Sequence, residues 1–74
     1  MIKELDTVIL TANIPEHNLE KGDIGTVVFV HTNNKGYEVE FGTLEGETLA
    51  VISLDNSSVR LAHPKEILHV REVA

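Results

Sequence analysis

The chain has no cysteine and no tryptophan, and only three aromatic residues in all. The missing cysteine removes disulfides, thiolate zinc sites, iron–sulfur clusters and cysteine nucleophiles together, and it suits a reducing compartment. The aromatics are Phe29, Tyr37 and Phe41, all at positions a core would need. None is then left for the aromatic groove of a proline-motif reader. Basic residues are also sparse, six against twelve acidic ones for a formal net charge of -6, and they are scattered. Binding to a phosphate backbone relies on clustered Lys and Arg contacts that release counterions, so nucleic acid is an unexpected partner. No window holds 18 uninterrupted apolar residues, and Met1-Ile2-Lys3-Glu4-Leu5-Asp6 lacks a basic region followed by an apolar run. The expectation is a soluble, cytoplasmic protein with no membrane partner. Low-complexity tracts, internal repeats and linker composition are absent too. With 74 residues, the chain is expected to form one domain over 1–74.

The pattern that is present is β-structure punctuated by single glycines and prolines. Thr7-Val8-Ile9-Leu10-Thr11 is β-branched and bounded by Asp6 and Asn13, a first strand. Residues 12–23 hold Pro15, His17, Asn18 and Gly22 and sustain neither period, so they read as a long loop of the kind that often carries function. Residues 25–31 form the strongest strand, apolar on both of its faces and therefore expected to be covered on both. After the turn residues Thr32-Asn33-Asn34-Lys35-Gly36 comes Tyr37-Glu38-Val39-Glu40-Phe41, a clean period of two with Tyr37, Val39 and Phe41 inward and Glu38 and Glu40 to solvent. A second tight connection over 42–47 leads to 48–54, again apolar on both faces. Asp55-Asn56-Ser57 turns the chain into a short strand at 58–61. His63-Pro64-Lys65-Glu66 predicts a single 3-10 turn, and Leu68-His69-Val70-Arg71 a closing strand with Leu68 and Val70 inward. No helical period persists beyond about two turns. Five or six short antiparallel strands on tight turns are best satisfied by closing the sheet, which removes its edges. The predicted fold is an all-β, small SH3-like barrel with a 3-10 turn near the C-terminus.

Few residues are arranged for chemistry. Gly22-Asp23-Ile24-Gly25 has the G-x-x-G spacing of an RNA-backbone clamp, but it precedes a strong strand and carries an Asp where a basic residue would help. Turn geometry accounts for both glycines. No Gly-Lys-Ser or Gly-Lys-Thr makes a phosphate loop. His17, His31, His63 and His69 form no i,i+4 pair and match no zinc spacing, so no metal or other cofactor is expected. Glu38 and Glu40 share one strand face about 7 Å apart, a separation known from glycosidases. A barrel filled by its own side chains offers such a pair no cleft, and solvated carboxylates are the reading kept. Ser57 and Ser58 lack a nucleophile elbow.

The pattern Pro15-Glu16-His17, Leu19, Gly22-Asp23, Gly25-Thr26-Val27-Val28, followed by Tyr37-Glu38-Val39-Glu40-Phe41 and Gly46-Glu47-Thr48, resembles a family of short, uncharacterised bacterial proteins common in cyanobacteria and classed as a domain of unknown function. The resemblance spans almost the whole chain. The Gly-Asp-x-Gly-x-Val element is also similar to that of the nitrile hydratase β-subunit barrel and of small photosynthetic electron-transfer accessory subunits. Those relatives imply a scaffold or partner-docking role without catalytic residues.

The expected function is therefore a non-catalytic protein-interaction module, an accessory or regulatory partner of another protein, antitoxin- or immunity-like in its most concrete version. The acidic balance favours a basic partner. Pro15, Glu16 and His17 on the long loop, with Glu38 and Glu40 on the strand face, are the candidate partner-binding residues. A nucleic-acid-binding barrel and a small-ligand or metal-binding barrel are the alternatives. Oligomeric state is left between monomer and homodimer.

Overall fold

The computed structural model describes residues 1–73. Five strands form one antiparallel sheet: β1 (Thr7–Leu10), β2 (Ile24–Val30), β3 (Gly36–Gly42), β4 (Thr48–Asp55) and β5 (Val59–Leu61), in the order β4-β3-β2-β1-β5. β4 and β5 lie at opposite ends of that order, yet only three residues join them. In a flat sheet four strand spacings would hold them roughly 19 Å apart, whereas the chain from Asp55 to Val59 reaches at most about 14 Å. The sheet must roll. The connection lies against the end of β1, where Thr11 N and Oγ1 donate to the Ser58 and Ser57 carbonyls at 2.8 Å each. The expected all-β, SH3-like architecture is the one observed.

Inside the roll Val8, Leu10, Leu19, Val27, Tyr37, Val39, Phe41, Leu54 and Val59 form one buried cluster. Each such side chain contributes about 1.5–3 kcal/mol by leaving water. Tyr37, Val39 and Phe41 fall inward as their period of two predicts, and Glu38 and Glu40 take the opposite face. Gly25 owes its identity to packing: a β-carbon there would fall 2.5 Å from Val39 Cγ1 and 2.8 Å from Phe41 Cε1. Gly22 has φ of 97°, in the left-handed region that favours glycine, so the two glycines of the G-x-x-G spacing serve a turn and a close strand approach.

Several expectations are corrected. The long loop is part structured: Pro15–His17 makes a 3-10 turn closed by an Ile14–Leu19 bridge, which carries Leu19 into the core. β2 is not covered on both faces. It pairs Val27 with Val39 but Phe29 with Glu38, so Val28 is an inserted residue, and beyond it the alternation is reversed. Phe29 is consequently 53% exposed instead of in the core. β4 likewise buries one face only, through Leu54 and in part Ala50 and Ile52, while Leu49 and Val51 point to solvent.

In place of the 3-10 turn expected at residues 63–66 there is a single hydrogen-bonded turn, in which the Glu66 amide donates to the His63 carbonyl (3.1 Å) while the Glu66 carboxylate accepts from the His63 amide (2.7 Å) and from both arms of the Arg60 guanidinium (2.9 and 2.6 Å). The 3-10 turns lie instead at Pro15–His17 and at Thr32–Asn34. No strand forms at residues 68–71. Residues 68–71 pair neither with β1, whose two sides are taken by β2 and β5, nor with the sheet ends β4 and β5, and Leu68 and Val70 are 71% and 93% exposed. The Ala62 amide donates to the Thr7 carbonyl at 3.0 Å, and beyond it the tail is held by a side chain: Arg71 donates to Asp23 through Nε (2.8 Å) and Nη2 (2.5 Å), and to the Asn18 carbonyl (2.8 Å).

Candidate functional site

The face of β2, β3 and β4 turned away from the core is built by register. Glu38 stands between Phe29 on β2 and Ser53 on β4, and Glu40 between Thr26 and Val51. Leu49 is an inserted residue of β4, between Thr48, which pairs with Gly42, and Ala50, which pairs with Phe41. Phe29, Val51 and Leu49 are 53%, 54% and 41% exposed, an apolar share that a solvated strand face does not need. Both carboxylates are oriented by neighbours. Glu38 accepts from Ser53 Oγ and lies 2.6 Å from His31 Nε2. The serine bond first, and then the histidine, hold its acid equilibrium below the usual carboxylate range. Glu40 accepts from Thr48 Oγ1 at 2.6 Å. The surface thus offers carboxylate acceptors fixed in direction beside apolar side chains.

The five residues singled out from sequence do not form one site. Glu38 and Glu40 sit together on this face. Pro15, Glu16 and His17 are exposed on their 3-10 turn, where Pro15 lines an open groove with Asn18, Leu19 and Arg71. No hydrogen bond or ion pair links the two sets among the described residues. No group of three or more His, Asp or Glu side chains able to hold a metal ion is found among the described residues, and no helix there is long and apolar enough to cross a membrane.

Sequence reasoning missed Phe29, Leu49 and Val51 as surface residues. Their signal was the apolarity of both faces of 25–31 and 48–54, which fits a strand with a covered face and an exposed apolar face as well as one buried twice.

The fold and this face define a class: a small SH3-like barrel that presents an acidic and apolar sheet surface. Residues 4–61 match the family described as Domain of unknown function (DUF4926), and the chain belongs to that family. The match ends with β5, so Glu66 and Arg71 lie beyond it. No curated protein and no solved structure matches the chain.

Proposed function

We propose that this protein is a non-catalytic interaction module, an accessory or regulatory partner that docks a basic segment of another protein on the outer face of β2, β3 and β4. The observation that carries the reading is the register that puts exposed Phe29 and Val51 beside Glu38 and Glu40, with exposed Leu49 at the bulge of the same strand as Val51. Apolar side chains supply contact area and the carboxylates set the sign of the partner, a division of labour usual in protein interfaces. The net charge of -6 points the same way. Likeness in pattern to the nitrile hydratase β-subunit and to electron-transfer accessory barrels favours docking, and neutralising the product of a neighbouring gene, in the manner of an antitoxin or immunity protein, is its most concrete form. The bacterial origin and cytoplasmic setting suggested by sequence belong to the same proposal.

Affinity capture from the encoding organism, run in parallel with wild type, Glu38→Lys/Glu40→Lys and Phe29→Ser/Val51→Ser, tests the reading. Both double variants are expected to stay folded and to lose the same partner. A partner recovered equally by all three baits does not use this face, and the proposal would fall.

A further inference from the structure

The β4 edge extends the face just described, and this inference rests on that reading. The amide of His31 donates to the Gly36 carbonyl at 2.9 Å, so the backbone of Gly36 turns toward β2. Backbone direction alternates along a strand. Glu38 and Glu40 therefore face β2 as well, while Tyr37, Val39 and Phe41 face β4. Their partners Leu54, Ile52 and Ala50 direct their backbone groups to β3. The amides and carbonyls of Val51 and Ser53 then point out of the sheet. β4 is the last strand in the order, and no backbone hydrogen bond from another segment reaches these amides among the described residues.

Edges of this kind are normally blunted by charge, proline or a bulge. Residues 48–54, Thr-Leu-Ala-Val-Ile-Ser-Leu, contain no charge and no proline; the register break in the β3–β4 ladder falls at Leu49, since Gly42 pairs with Thr48 and Phe41 with Ala50, and residues 50–55 beyond it keep an unbroken register. Charge sits at both ends instead, as exposed Glu47 and Asp55. That distribution decides the occupant. A second copy pairing all of 48–54 with itself would set Glu47 against Asp55 of the other copy at each end, between molecules that each carry a net charge of -6. A strand with an apolar centre and a basic residue at each end meets no such repulsion.

We infer that β4 accepts an extended segment of a partner protein as an added antiparallel strand, apolar opposite Val51 and carrying Lys or Arg opposite Glu47 and Asp55. Main-chain bonds to Val51 and Ser53 hold it, and its flanking charges set its register.

The probe is the end-blocked peptide Arg-Thr-Val-Thr-Val-Thr-Val-Thr-Arg, with the same sequence ending in Glu as its control. In free protein the amides of Val51 and Ser53 are expected to exchange with solvent at least about tenfold faster than those of Ala50 and Ile52. The Arg-ended peptide should protect them, and the Glu-ended one should bind at least about tenfold more weakly. Val51→Pro removes an edge amide without touching the β3 ladder, a placement proline tolerates, and should abolish binding. The wild-type exchange measurement stands whether or not that variant folds. Equal protection of all four amides in dilute free protein, or no protection by the Arg-ended peptide, would overturn the inference. So would protection that grows with protein concentration alone, which would assign the edge to a second copy. A captured partner that is lost with Glu38→Lys/Glu40→Lys but kept by folded Val51→Pro would sink strand addition and leave the docking face standing.

Discussion

Phe29 lies across the ladder from Glu38 instead of joining Val27 on the core side, because β2 carries one more residue there than β3. The energetic consequence separates two residues of the same type. Phe29→Ser removes a side chain already half in water and is expected to change stability by less than about 1 kcal/mol, as surface substitutions usually do. Phe41→Ala empties a site at the centre of the cluster and should cost about 3–5 kcal/mol, comparable to the whole stability of a domain this small. Urea denaturation of both variants checks this. Equal losses would mean that the bulge is misplaced and Phe29 is buried.

Gly25 offers a second check on the packing of β2 against β3. Gly25→Ala puts a methyl group 2.5 Å from Val39 Cγ1, 2.8 Å from Phe41 Cε1 and 3.1 Å from the Glu40 carbonyl. The backbone oxygen cannot turn aside as a side chain can, so the strands must separate locally, at about 1–3 kcal/mol. Combining the change with Val39→Ala should recover part of the loss of Gly25→Ala relative to what the two single variants predict by addition. Strict additivity in melts of the four proteins would show that Gly25 and Val39 do not meet.

How far the sequence alone reaches follows from what each residue reports. Tyr37-Glu38-Val39-Glu40-Phe41 is legible because its polar positions mark the solvent face unambiguously, and the barrel class follows from such strands and their turns. The outward turn of Phe29 is not legible, since a bulge is a property of the pairing of two strands and leaves no mark in the alternation of one. Leu49 and Val51 were misread for a related reason: apolar residues on both faces look alike whether the outer face is covered by the same chain or left open. The tail misled in the opposite sense. Leu68-His69-Val70-Arg71 has the alternation of a strand, but it joins no edge of the sheet, and what locates the segment is a guanidinium reaching Asp23, 48 residues back. Of the site, Glu38 and Glu40 were readable as a shared face; the apolar half was not.

The tail contacts make their attachment depend on pH. The Arg71 hydrogen bonds, with the Glu20 amide helping, hold the Asp23 carboxyl below its ordinary value, and Arg60 followed by the His63 amide brings Glu66 down to about 2. A carboxyl whose folded value is depressed contributes stability that is complete above its unfolded value, near 3.9–4.3 for these residue types, and is lost as pH falls through the folded one. Attachment of residues 63–73 should therefore be constant from neutral pH down to about 4.5 and decline between there and about 2. Both pairs join the tail to the rim of the barrel and neither includes a residue of the buried cluster, so the barrel loses little when they open. Backbone relaxation of residues 67–73, followed by NMR through this range, is expected to show the tail loosening while the amide of Val39 stays protected. Arg71→Ala should produce the same mobility at pH 7 and return Asp23 toward its ordinary titration. A tail equally ordered in wild type and Arg71→Ala at pH 7 would mean that this clamp does not hold it.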